Sequence, residues 1–219
     1  MKKILVAIEG NIGVGKSTFV GILKNHFKDS SIVGEPIDIW LNTKNDQGEN
    51  ILDLFYKDKK RWAYSFQNLA YLTRMMKIQD VILREPSNII FLDRSLGTDK
   101  NIFEKMLHDD GILDNMEHHM YNLWCDFYHK YVSDNTNQLY IYLKCDPNTA
   151  FNRIQKRGRD EEKTIQLDYL EKLHKCHDEW LNDAENIIVI DCDREFENDL
   201  EYQKEILGKI ESKINELCS

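Results

Sequence analysis

The sequence predicts an α/β fold, a five-stranded parallel sheet with helices on both faces. Two observations carry that reading. Five short runs dense in apolar, β-branched and aromatic residues alternate with stretches of 3.6-residue periodicity. Parallel strands need long crossovers, and helical crossovers cover both faces of the sheet. The second observation is a glycine-rich phosphate-binding loop set between the first strand run and the first helical stretch.

The elements follow in order. Ile4 to Ile8 is the first strand, and Thr18 to Phe27 the amphipathic helix after the loop. Ser31 to Gly34 is a weaker second strand, followed by a long helix containing Trp62 to Leu83. Asn88 to Asp93 is the third strand, with Asp99 at the start of another helix, where the helix dipole alone could stabilise its carboxylate. Helices over Ile102 to Leu107 and Glu117 to Tyr131 come next. Gln138 to Leu143 is the fourth strand, with Pro147 suited to the first turn of the helix behind it. Asn186 to Asp191 is the fifth. No Gly/Ser/Pro-rich linker divides the chain, so residues 1–219 read as one domain.

Composition narrows the function. Hydrophobic residues make up 42 % and charged residues 31 % of the 219, a globular balance. A net charge of −9 argues against a nucleic-acid coat protein, though a small polyanion can still bind where positive charge is concentrated. No run is long enough to cross a membrane. The opening apolar stretch is broken by Glu9 with no cleavage site after it, so a cytoplasmic location is expected, a host cytoplasm if the source is a virus or parasite. The five cysteines show no metal spacing and read as reduced structural thiols.

Gly10-Asn11-Ile12-Gly13-Val14-Gly15-Lys16-Ser17, continuing into Thr18, matches G-x-x-x-x-G-K-[ST] in full. Glycines let backbone N–H groups turn inward as an anion nest, and the helix N-terminus adds partial positive charge. Lys16 is placed for the β- and γ-phosphates of a nucleoside triphosphate, and Ser17 for Mg²⁺. A small GTPase would add Asn-Lys-x-Asp, and the chain has no Asn-Lys dipeptide. A kinase needs a second substrate site and a phosphate clamp, and the remaining motifs offer both. Glu35-Pro36 follows the second strand, at the edge that faces ligands in open α/β sheets, so Glu35 could take a proton from an attacking hydroxyl. Trp40 could wall a planar ligand or simply belong to the core. Gln67, Ala70 and Arg74 share one helix face, either a reader of a base edge or an ordinary solvated surface. Asp93-Arg94-Ser95 closes an apolar strand where a carboxylate helps hold Mg²⁺ and an arginine meets the transferring phosphoryl. Arg153 to Lys163 concentrates five basic residues in an acidic chain.

Together these segments resemble the cellular-type deoxynucleoside kinases, the family of deoxycytidine, deoxyguanosine and mitochondrial thymidine kinases. The resemblance runs through Ile8 to Phe19, Glu35-Pro-x-x-x-Trp40, Tyr56-Lys-Asp-x-x-Arg-Trp62, Phe66-Gln67, Asp93-Arg-Ser95 and Arg157-Gly-Arg-Asp-Glu-Glu162. Tyr169 to His174 and Trp180-Leu181 complete it. It implies a P-loop kinase fold with a mobile arginine-rich lid over about 153–165, transferring phosphate from ATP to a deoxynucleoside 5′-hydroxyl. By position, Glu35 resembles the carboxylate that takes the hydroxyl proton, with Asp93 a rival for that role as well as a metal residue. Arg94 resembles the arginine at the 5′-oxygen, Tyr56 and Glu162 the pair at the 3′-hydroxyl, and Gln67 the base reader. Ile37, Trp40, Phe66, Ala70 and Phe103 fall among the residues around the base. Arg153, Arg157 and Arg159 resemble the lid arginines, and Asp193 to Phe196, with Glu195 and Phe196, the loop around the donor adenine. Ala70, Arg74 and Asp99 match the deoxycytidine/deoxyguanosine branch, so deoxyadenosine, deoxyguanosine or deoxycytidine is expected ahead of thymidine. Two departures stand out: Asp93 is one methylene shorter than the Glu of many animal relatives, and Lys163 to Gln166 lacks the usual Gly and Pro. The resemblance also implies a homodimer through the helices over 102–107 and 117–131, though such helices can equally face their own core. A thymidylate-type monophosphate kinase, or a nucleotide-binding protein without chemistry, shares much of this pattern.

Overall fold

The computed structural model describes residues 2–158, 162 and 165–218. In chain order the elements are β1 (Lys3–Gly10), α1 (Lys16–His26), β2 (Ser31–Val33), α2 (Ile37–Asn42), α3 (Ile51–Lys57) and α4 (Lys59–Arg84). Then come β3 (Ile89–Asp93), α5 (Leu96–Thr98), a π-helix (Asp99–Glu104), α6 (Lys105–Asp109) and α7 (Asn115–Asn135). The chain ends through β4 (Thr136–Lys144), α8 (Pro147–Arg157), α9 (Leu167–Leu181), β5 (Ile187–Asp191) and α10 (Leu200–Cys218). The described residues form two compact units, one of residues 1–32, 86–93 and 136–219, the other of 33–85 and 94–135.

The first unit is built on the sheet, whose five strands lie in the order β2-β3-β1-β4-β5. The pairs β1/β3, β1/β4 and β4/β5 are parallel, as the alternation of strands and helices requires. β1 is central and apolar through Ile8, and it is buried on both faces. Alternation along β4 separates the two faces. Leu139, Ile141 and Leu143 join Phe19 and Leu23 of α1 and Ile206 and Ile210 of α10 in one core. Tyr140 and Tyr142 point the other way, toward Trp180 and His177 of α9, with ring centroids 5.7 and 5.9 Å apart. α8 begins as its sequence dictates: Asp146 accepts from the Asn148 N–H at 2.8 Å, and Pro147 occupies the first turn. It ends at left-handed Gly158.

The second unit is helical. α4 starts where Asp58 accepts from the Arg61 N–H and stops before Pro86. Its buried residues include Phe66, Gln67, Ala70 and Arg74, so the face read from the sequence is interior rather than solvated. Trp40, Phe55, Phe66 and Leu113 form the core beside it.

Two expectations are refined here. Asp99 begins a helical segment, but not a free helix terminus. It follows α5 directly and opens a six-residue π-helix that continues into α6, so what accompanies its charge is a side-chain partner rather than a helix terminus. Of the two alternatives open for the stretch 102–107, Ile102 and Met106 follow the second and pack into their own unit. In this unit α7 carries five exposed large apolar residues and α4 three.

Candidate active site

In the first unit the phosphate loop joins β1 to α1. Gly10, Gly13 and Gly15 all have positive φ. At Gly13 the demand is twofold: φ is 84°, and a Cβ would stand 2.6 Å from the Ala150 carbonyl oxygen. Asn11 is buried, accepts from the Ile12 N–H and donates to the Leu170 carbonyl at 2.8 Å, which ties the loop to α9. Lys16 Nζ donates to the Gly10 and Asn11 carbonyls at 2.8 and 2.6 Å, so its ammonium stays over the nest. Val14 is buried in the core, while Ile12, Gly15 and Thr18 are half-buried and Ser17 is exposed in the first turn of α1.

Asp93 is the last residue of β3, in register with Ile8. One hydroxyl (Ser17) and one carboxylate (Asp93) make a hard oxygen set, too small to cage a metal but suited to Mg²⁺ held largely by phosphates and water. Among the described residues no cluster of three or more His, Cys, Asp or Glu is placed to hold a metal ion.

Of the basic segment, Arg153 Nη1 lies 3.6 Å from Cys145 Sγ. Arg157 grips Glu162 with two bonds, of 3.1 and 2.6 Å. Arg159 lies outside the described residues. Glu195 turns its carboxylate into its own loop, accepting from the N–H groups of Glu197 and Asn198. Phe196 is a core residue, edge-on to Phe19 at 5.8 Å and against Gly15.

The second unit gathers charged side chains from distant segments. Arg74 is 3 % exposed and binds Asp99 through Nε–Oδ2 at 2.7 Å and Nη2–Oδ1 at 3.4 Å. Its Nη2 also donates to Glu35 Oε1 at 3.2 Å, and Arg94 Nη1 reaches the same oxygen at 3.3 Å. The result is an alternating chain, Asp99–Arg74–Glu35–Arg94, neutral in sum. Burial alone would lower the Arg74 pKa, but the Asp99 and Glu35 carboxylates reverse that and hold the guanidinium charged. Burial pushes Asp99 upward, against the downward pull of Arg74.

Arg94 has φ of 66°, a strained value for a non-glycine residue, and its guanidinium lies over the Phe103 ring at 5.3 Å. Its Nε is buried with no hydrogen-bond partner among the described residues, a donor that a ligand oxygen would satisfy. Trp40 donates to Thr73 Oγ1 at 3.0 Å and meets Phe66 edge to face at 5.4 Å. Gln67 and Ala70 are buried on the same α4 face as Arg74, whereas Ile37 and Tyr56 are exposed.

Sequence reasoning missed Lys77, which donates to the Glu35 carbonyl at 3.2 Å. Its spacing of three from Arg74 was the available signal. Nothing in the sequence marked the π-helix that carries both Asp99 and Phe103.

The profile of the deoxynucleoside kinase family matches residues 6–219. The chain belongs to that family. Among its relatives, a "Probable deoxycytidine kinase" of Fowlpox virus is 37 % identical over 97 % of this chain and 88 % of its own length. A "Deoxyguanosine kinase, mitochondrial" of Xenopus laevis is 32 % identical over 95 % of this chain and 89 % of its own. "Deoxycytidine kinase 2" of Gallus gallus is 34 % identical over 94 % and 89 %. The kinase therefore has the P-loop kinase fold of its family around its five-stranded parallel sheet. Among its described residues no helix is long and apolar enough to cross a membrane.

Proposed function

We propose that this kinase transfers the γ-phosphoryl of ATP to the 5′-hydroxyl of a deoxynucleoside, and that it prefers deoxyadenosine, deoxyguanosine or deoxycytidine to thymidine. One observation carries this reading. The buried Arg74–Asp99 pair is linked through Glu35 to Arg94, which joins a base-edge reader to a carboxylate and an arginine suited to the reacting hydroxyl.

Each unit then has its task within one kinase domain. In the first, the P-loop N–H groups and Lys16 hold the donor phosphates. Ser17 and Asp93 would hold Mg²⁺, which when bound offsets phosphate charge. Arg153, Arg157 and Arg159 serve as the lid, and Asp193 to Phe196 as the loop near the donor base. To reach phosphate, Arg157 gives up its bond to Glu162. In the second, Gln67, Arg74 and Asp99 read the base edge, with Ile37, Trp40, Phe66, Ala70 and Phe103 around the base. Glu35, oriented by two guanidinium groups, takes the hydroxyl proton. Arg94 Nε meets the 5′-oxygen as negative charge develops.

The kinase is also proposed to be a homodimer. Met116, Met120, Leu123, Trp124 and Phe127 form an exposed stripe at i, i+4, i+7, i+8 and i+11 on α7, and Leu72, Met76 and Leu83 are exposed on α4. Trp124→Glu should convert a dimer to a monomer in light scattering. A cytoplasmic location belongs to the same proposal, since Cys125, Cys145, Cys176 and Cys192 are buried free thiols.

The test is phosphoryl transfer from Mg·ATP to the four deoxynucleosides, with thymidine monophosphate as a fifth acceptor. Thymidine with the highest kcat/KM would overturn the preference. Turnover of the monophosphate alone would make the protein a monophosphate kinase.

A further inference from the structure

Glu104 closes the π-helix that begins with Asp99 and includes Phe103. It is 0 % exposed, and a carboxylate so placed is costly unless a cation or hydrogen bonds meet it. His118 of α7 supplies the partner: its Nδ1 lies 2.9 and 3.1 Å from the two Glu104 oxygens. The His118 ring stacks on His108 of α6, with centroids 3.9 Å apart and planes 12° from parallel. His108 is held by Asn115 Oδ1 at 3.0 Å. One proton between Glu104 and His118 satisfies the buried carboxyl and the ring nitrogen together.

The neighbours leave that proton to this pair. α5 has no titratable residue. α4 faces the π-helix with Arg74, which is engaged by Asp99 and Glu35. α6 adds His108 and Asp109, the latter paired with Lys105 at 2.5 Å. α7 adds the Tyr121 hydroxyl.

We propose that Glu104 and His118 are positioning residues for the acceptor site: by sharing a proton they fix the π-helix that presents Asp99 to Arg74 and Phe103 to Arg94. The inference rests on the reading of Arg74 and Asp99 as acceptor-binding residues. Burial, the larger influence, raises the Glu104 pKa, and the His118 hydrogen bond pulls it back. A carboxyl raised in the folded state favours folding while it is protonated, and that contribution is lost as pH rises through the raised value. Loss of the shared proton as pH rises therefore strands a buried negative charge at the end of the π-helix.

The test is the acceptor KM measured from about pH 6 to about pH 9 in wild type, Glu104→Gln and His118→Gln, with donor KM and thermal midpoint alongside. In wild type the acceptor KM rises at least about threefold toward alkaline pH, a fraction of what one pKa unit is worth. Glu104→Gln flattens the curve, because the amide keeps a hydrogen bond and leaves no buried charge. His118→Gln displaces the rise along the pH axis, because Glu104 has lost the imidazole that shares its proton. Donor KM is the same in all three. Parallel acceptor curves, or an equal change in donor KM, would overturn the proposal. If His118→Gln does not fold, wild type against Glu104→Gln decides. If wild type phosphorylates no deoxynucleoside, the functional reading fails by itself. The thermal midpoint then still tests the pair: it should fall toward alkaline pH in wild type and not in Glu104→Gln, and equal slopes would contradict it.

Discussion

The two units make their sites from different material. In the first, the site is backbone: an anion nest whose shape comes from glycines at Gly10, Gly13 and Gly15 and from the start of α1. In the second, the site is side chains: Glu35, Arg74, Arg94 and Asp99 come from separate segments and meet in a network that buries Arg74 and Asp99 and leaves Glu35 and Arg94 partly open. A backbone site depends on consecutive residues and tolerates many side chains. A side-chain site depends on the packing of the whole unit and tolerates few. The first suits a ligand whose common feature is phosphate, and the second a ligand that must be told apart from its analogues.

That contrast orders the expected effects of mutation. The largest falls on the nest. Lys16→Ala should lower kcat by at least about a thousandfold, as loss of phosphate charge stabilisation does, while equilibrium binding of the deoxynucleoside is unchanged. Glu35→Gln comes next, with kcat down by roughly a hundredfold to ten-thousandfold in a chain that circular dichroism shows to be folded. Near-normal turnover would transfer the proton-accepting role to Asp93.

Much of this contrast was legible in the sequence, and unevenly so. β1, the nest and the capped start of α8 are local devices, fixed by the residues that form them, and the Pro147 and glycine signals pointed to them directly. The side-chain network was only partly visible. Helical spacing put Gln67, Ala70 and Arg74 on one face, but not whether that face was interior. Asp99 was read as a helix start held by the dipole, whereas the π-helix it opens carries it into contact with Arg74. The Glu104–His118 pair left no mark, since a lone Glu and a lone His read as surface until packing buries one of them. The resemblance puts Phe196 in the donor loop, and its packing against Phe19 was not legible in the sequence.

Two smaller effects sharpen the comparison. Thr73→Val should cost about 1–3 kcal/mol in chemical denaturation, because it strips the acceptor from the buried Trp40 indole. The acceptor KM should rise with it and the donor KM should not. In the first unit, Asp178 accepts from Tyr142 and Lys144 at 2.9 and 2.8 Å. Burial raises its pKa, but the Lys144 and Tyr142 hydrogen bonds outweigh that and hold it below the usual carboxylate range. A carboxyl lowered in the folded state stabilises above its unfolded value and loses that contribution as pH falls through the folded one. Asp178→Asn should therefore cost about 1 kcal/mol near neutral pH, and the difference from wild type should vanish in strong acid. A difference that persists there would assign the effect to packing.

The division of labour is tested most directly by calorimetric binding of ATP and of a deoxynucleoside, each alone, to Gly13→Ala and Arg74→Gln. Gly13→Ala should lose ATP binding and keep the deoxynucleoside, since its Cβ collides with Ala150 and Ile154 of α8, which lie in the same unit as the nest. Arg74→Gln should keep ATP and lose the deoxynucleoside, since it leaves Asp99 buried without its cation. If either folded variant loses both ligands together, the two recognitions are not separable in this way.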